Sequence, residues 1–102
     1  PVANDDSCIK LCHRGIACEC CVDALNNDSD FDILDTLSYN TVNNGGIIVA
    51  SDICFTTTLT SGDETFAVTY NIDDNLGAQS NLGTIDFIFI ELLSATPTIS
   101  VT

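Results

Sequence analysis

Positive charge is nearly missing from this chain. Lys10 and Arg14 are its only basic residues against fifteen Asp and Glu, giving a net charge of −13. Binding nucleic acid or an anionic membrane needs clustered Lys and Arg to displace counterions, so neither is an expected partner. Long apolar runs are missing too. The most apolar stretches, Gly45–Ala50 and Ile85–Leu93, are strand-sized and far short of a membrane-crossing helix. Methionine and tryptophan are absent, and His13 is the single histidine. It sits among cysteines with nothing to orient it, so no nucleophile–base–acid set can be assembled. No phosphate-cradling glycine loop occurs either, and an enzyme is not expected. The first residues show no basic region leading into an apolar one, as a secretory leader would. A start at Pro1 fits either a removed leader or a clipped initiator methionine.

What is present is cysteine, aspartate and β-forming residues. Five of the six cysteines (Cys8, Cys12, Cys18, Cys20 and Cys21) fall in one fourteen-residue stretch, together with His13, Lys10 and Arg14. Cys54 stands alone in the rest of the chain. Adjacent cysteines such as Cys20 and Cys21 rarely bridge each other, because a disulfide wants converging Cβ vectors. The cluster must therefore send bonds to Cys54, to a metal or haem, or to another copy of the chain. Six cysteines in 102 residues favour an oxidising, extracellular location. The alternative is a reduced, metal-binding arm in the cytosol.

With 102 residues, 45% of them hydrophobic, the chain makes one domain with a real core. Twelve Asp against three Glu suit turns and strand ends better than helices. Residues 1–21 have no clean period, and Gly15 breaks any long helix, so they read as an extended arm outside the core. Val22–Leu25 fits one helical turn. From there strands follow, making residues 22–102 a β domain. Phe31, Ile33, Leu37 and Tyr39 share one parity of a strand over 31–39. Asn43-Asn44-Gly45-Gly46 is a turn signal. The run 47–60 is long for one strand and bends near Ser51 and Asp52. Ser61-Gly62-Asp63 turns, and Phe66, Val68, Tyr70 and Ile72 alternate cleanly. Residues 73–83 form a polar loop. Ile85–Leu93 is apolar on both parities, which fits a central strand or one covered by a neighbouring subunit. Beyond Pro97, Thr98–Thr102 gives a short last strand. The fold class is therefore all-β, an antiparallel β-sandwich of jelly-roll type with a Cys-rich N-terminal arm.

Three ligand sites are open on these residues. Cys8 and Cys12 followed by His13 approach the c-type haem attachment pattern, with one residue too many between the cysteines. Zinc or an iron–sulfur cluster could draw on Cys8, Cys12, His13, Cys18, Cys20 and Cys21, although five residues between the two groups is cramped for one ion. Asp28, Asp30 and Asp32 suggest a calcium loop. The EF-hand positions for glycine and glutamate hold Ile33 and Tyr39 instead, which favours a solvated strand face. The simplest reading of the sulfur is disulfides, with bonds between chains favoured because the core offers only Cys54 as a partner.

A Cys-Cys pair in an N-terminal arm, ahead of a compact Thr- and Ile-rich sandwich, resembles the endospore appendage (Ena) fibre subunits of spore-forming bacteria. The matching residues are Ile16, the pair Cys20-Cys21, and Cys54 on the domain. The resemblance implies a jelly roll whose arm bonds covalently to preceding subunits, at a cell or spore surface. Cys8, Cys12 and Cys18 are additions to that pattern, and 32 residues separate Cys21 from Cys54. The expected function is a structural subunit of a homopolymeric extracellular fibre, without cofactor. All six cysteines are candidate inter-subunit links, Cys20 and Cys21 foremost and Cys54 as acceptor. A haem- or metal-binding redox filament and a small acidic calcium-binding module are the alternatives.

Overall fold

The computed structural model describes residues 1–30 and 34–92. Two strands make its centre. In β6 (Glu64–Asp73) and β7 (Gly83–Glu91) alternate residues turn to one face, and Val68, Tyr70, Ile72, Ile85, Phe87 and Phe89 are all fully buried there. The two pair antiparallel, with Phe66 opposite Phe87 and Val68 opposite Ile85. A sheet with one buried face cannot slip register by one residue without exposing that set, and this is what fixes the pairing.

The four-stranded sheet runs β1 (Asp6–Cys12), β7, β6, β3 (Ser38–Val42). A three-stranded sheet of β2 (Ala17–Val22), β5 (Asp52–Thr58) and β4 (Ile47–Val49) packs against it. Phe55 of the smaller sheet stacks on Phe66 at 4.5 Å and on Phe87 at 5.6 Å between ring centroids, joining the layers. Phe87 is fully buried, which contributes roughly 1.5–3 kcal/mol, while Phe55 and Phe66 are half-buried against it. The molecule is a β-sandwich, and no helix among the described residues is long and apolar enough to cross a membrane.

β7 is a central strand, as its two-sided apolar pattern allows, lying between β6 and β1. The long run 47–60 does bend: β4 and β5 form a hairpin through Ala50, whose φ is +56°. Asn44 and Gly45 both adopt positive φ, as their turn signal requires. That turn carries the chain from one sheet to the other, since β3 and β4 lie in different layers. Gly46 sits at the crossing. A Cβ there would lie 2.7 Å from Val68 and 2.8 Å from Val42, so the close approach demands glycine.

Two expectations are corrected. The strand placed over 31–39 begins only at Ser38, where Tyr39 pairs with Ile72; Phe31, Asp32 and Ile33 lie outside the described residues, as does the stretch 98–102. The larger correction concerns residues 1–21. They do not stand apart from the core as an arm. β1 pairs parallel with β7 over seven residues, and β2 pairs antiparallel with β5 over six. Each supplies an edge strand to one of the two sheets. The physical reason is the sulfur: Cys12, Cys18 and Cys20 are inward-facing core residues, at 2%, 8% and 4% exposure.

Candidate functional site

The sulfurs form a ladder along one side of the sandwich. Cys8 and Cys12 of β1 face inward and meet Cys20 and Cys18 of β2, forming disulfides Cys8–Cys20 and Cys12–Cys18. Both bridges join one sheet to the other, with Cα separations of 6.2 and 5.9 Å. The third, Cys21–Cys54, lies within the smaller sheet, between directly opposed residues of β2 and β5. No free cysteine remains.

Each of the six sulfurs has a partner within the chain. Cys54 is indeed bonded to the cluster, but to Cys21 of its own chain. Cys20, expected to reach another copy, is bonded to Cys8. With Cys8 and Cys12 in disulfides, no thiol is left for haem thioethers. The zinc or iron–sulfur set of Cys8, Cys12, His13, Cys18, Cys20 and Cys21 is likewise consumed, because a metal ligand must be a thiolate. His13 is exposed in the turn after β1. One further bond to the body closes this end: the Arg14 guanidinium holds Glu91, donating through two nitrogens. Glu91 also accepts from the Gly62 amide at 3.0 Å, and together these donors hold its carboxyl below the usual range.

At the other end of β1 lies a cluster that the sequence did not signal. The Tyr70 hydroxyl, on a fully buried side chain, stands 2.9 and 3.0 Å from the two Asp28 oxygens. It is 2.9 Å from the Asn4 carbonyl and 3.5 Å from Asp6. One hydroxyl proton therefore faces four acceptor oxygens from three residues. Asp28 also accepts from the Asn4 amide at 2.8 Å, and Asp6 from the Asn27 side chain at 2.8 Å. Burial raises the pKa of both carboxyls, and the Asp28 charge raises Asp6 further. Burial and then the neighbouring Asp28 push the Tyr70 hydroxyl well above its ordinary value. Tyr39, 5.8 Å from the Tyr70 ring and edge-on to it, is pushed up to about 12 by burial; its hydroxyl donates to the Ser51 carbonyl at 2.6 Å.

The proposed calcium ligands are divided. Asp28 is engaged by Tyr70 and Asn4, Asp32 lies outside the described residues, and Asp30 instead joins Asp35 and Asp74, with carboxylate oxygens mutually within 4.8 Å. The Pro1 ammonium is 3.7 Å from Asp30.

Two sets of exposed aliphatic side chains complete the surface. Ile9 and Leu11 project from β1 beside Ile88 and Ile90 of β7, their register partners. On the edge strand β4, Ile47, Ile48 and Val49 are all exposed. Comparison with protein-family models, curated proteins and solved structures finds no match for this chain.

Proposed function

We propose that the protein is a structural subunit of a self-assembling extracellular fibre at a cell or spore surface. The N-terminal segment of one copy docks on the next, and Cys21 bonds Cys54 of that neighbour. The observation that carries this reading is how the sulfurs are divided. Two of the three disulfides close entirely within residues 1–22, and only Cys21–Cys54 ties that segment to the rest of the chain. The segment is a stapled unit that offers one edge strand to each sheet. Its seats on β7 and β5 are main-chain ladders that an identical neighbour also presents, so exchanging the segment between copies keeps every register and every disulfide type. Such an exchange runs head to tail and need not close. The aliphatic rows on β1 and β4 add apolar surface that a second copy can cover. Three disulfides and a net charge of −13 suit an oxidising, watery exterior. Enzymatic activity forms no part of this role.

Denaturing electrophoresis with and without reductant tests it, alongside a chain beginning at Asp23. A non-reducing ladder that collapses to 10.8 kDa on reduction is the expected outcome. Monomer alone in boiled, non-reduced material sinks the proposal, and so does an unchanged ladder from the shortened chain.

A further inference from the structure

The three disulfides differ in what surrounds them. Cys12–Cys18 joins two core residues, and Cys8–Cys20 joins a half-buried sulfur to a buried one, both between the sheets. Cys21–Cys54 lies on the outer face of the smaller sheet. Cys21 is exposed on β2, in line with the outward-facing Ala17 and Glu19. Cys54, opposite it, is 3% exposed, flanked by Cys21 on one side and by its β4 partner Ile47 on the other. The bond thus joins one exposed residue to one covered residue. Glu19 brings a carboxylate oxygen within 4.8 Å of both.

From this geometry we infer that Cys21–Cys54 is a thiol-exchange site, attacked at the Cys21 sulfur by an external thiol while the other two disulfides stay closed. An approaching thiolate RS⁻ bonds to Sγ of Cys21 as the Cys21–Cys54 bond breaks. Cys54 leaves as a thiolate and takes a proton from water. One disulfide has replaced another, so nothing is oxidised or reduced overall in this step. A second thiol can then attack the mixed disulfide, giving RSSR and two free cysteines, with the small thiol as reductant. The order follows from access: the incoming sulfur needs a clear line to Cys21, and the covered Cys54 can only be the leaving group. Glu19 acts on this chemistry as a brake. Its negative charge opposes an anionic nucleophile and a nascent thiolate alike, and neither Lys10 nor Arg14 lies on this strand pair to offset it. The site supplies the covalent step of the assembly proposed above, yet it is a property of the single chain and stands without it.

The test uses the folded, oxidised full-length chain with glutathione or dithiothreitol under native conditions, quenched at intervals with an alkylating agent and mapped by peptide mass. Cys21 and Cys54 should be trapped first, at least about ten-fold faster than the other four, of which Cys12, Cys18 and Cys20 are buried and Cys8 is half-buried against the core. With glutathione, the first adduct should sit on Cys21 and the first alkylated thiol on Cys54. Glu19→Gln should accelerate this step about two- to five-fold, the range for an exposed charge. Simultaneous labelling of all six cysteines, earlier labelling of Cys8–Cys20 or Cys12–Cys18, or an unchanged rate in Glu19→Gln overturns the inference. A chain that labels as expected but never polymerises would refute the fibre reading and leave this one intact.

Discussion

Replacing Tyr70 with Phe removes one oxygen from the centre of the Asn4–Asp6–Asp28 cluster and leaves the ring in place. The ring stays packed edge-on to Tyr39 at 5.8 Å. What is lost is the hydroxyl proton facing the Asp28 carboxylate, whose oxygens lie 2.9 and 3.0 Å away. Hydrogen bonds to charged groups contribute about 1.5–3 kcal/mol; because Asp28 keeps partial access to water, the lower half of that range, roughly 1.5–2 kcal/mol, is expected at neutral pH. The pH dependence carries the sharper test. Asp6 and Asp28 have raised pKa values, so the folded chain holds their protons more tightly than the unfolded chain does. The penalty for ionising them is absent below the ordinary carboxylate range and complete above the raised values. Stability from this pair therefore climbs as pH falls through the raised values towards the ordinary carboxylate range. The depressed carboxyls Glu91 and Asp74 act in the opposite sense, losing their contribution only as pH falls further, through their lowered values. In the variant the pair loses a donor that had lowered both pKa values, so its ionised form is penalised more. Once Asp28 is protonated it supplies the missing proton itself. The destabilisation should thus be largest near pH 7 and shrink towards pH 4, measured by urea unfolding followed by circular dichroism. A loss that stays constant across that range would show that the hydroxyl does not serve the carboxylates.

Phe87→Ala removes a fully buried ring from between the sheets and from its stack on Phe55, and should cost about 3–5 kcal/mol in urea unfolding. A loss under 1 kcal/mol would mean that the two layers are not joined there. Gly46→Ala places a methyl 2.7 Å from Val68 and 2.8 Å from Val42, and should cost about 1–3 kcal/mol by overpacking. Gly15→Ala is its control. Nothing lies within 4 Å of the new methyl there, so only the φ of +80° opposes it and about 1–2 kcal/mol is expected. Double-mutant combination with Val68→Ala should rescue Gly46→Ala in part and leave Gly15→Ala untouched.

The centre of the fold was legible because its strands bury one face. The alternation of Phe66, Val68, Tyr70 and Ile72, and the two-sided apolar run of β7, report directly on burial and on central position. The turn at Asn44 and Gly45 was legible from side-chain chemistry, since both residues tolerate positive φ. β1 and β2 were hidden for an identifiable reason: their inward positions hold cysteine, and their aliphatic residues point out. Ile9 and Leu11 on β1 are exposed while Cys12 is buried, the reverse of the usual pattern. Read as thiols the cysteines give no period; read as core, Cys8 and Cys12 share one parity of β1, and Cys18 and Cys20 one parity of β2. That parity was the available signal. The parallel pairing of β1 with β7 is long-range, and no local pattern announces it. The Tyr70 cluster was invisible for the same reason, joining residues 42 to 66 positions apart.

The disulfides allow one more discrimination, because loop length and burial pull in opposite directions. By chain entropy, closing loops with separations of 33, 12 and 6 residues contributes about 3.7, 2.8 and 2.2 kcal/mol for Cys21–Cys54, Cys8–Cys20 and Cys12–Cys18. The smallest loop is nested inside the middle one, so its own share is smaller still. Packing ranks them the other way: Cys12 and Cys18 are both core residues, and trimming each to alanine costs roughly 1 kcal/mol more. The three alanine pairs should therefore lose similar stability, by different routes. Removing Cys21–Cys54 acts mainly on the unfolded chain, releasing residues 1–22 from the body and letting the ensemble expand. Its urea m-value should rise, since m follows the surface exposed on unfolding. Cys12→Ala with Cys18→Ala acts mainly on the native core and should leave m near that of the parent, because the outer bridge still closes the same segment. An m-value that rises for the nested pair and not for Cys21→Ala with Cys54→Ala would mean that residues 1–22 do not behave as a separately stapled unit, and it would remove the observation on which the exchange of that segment between copies rests.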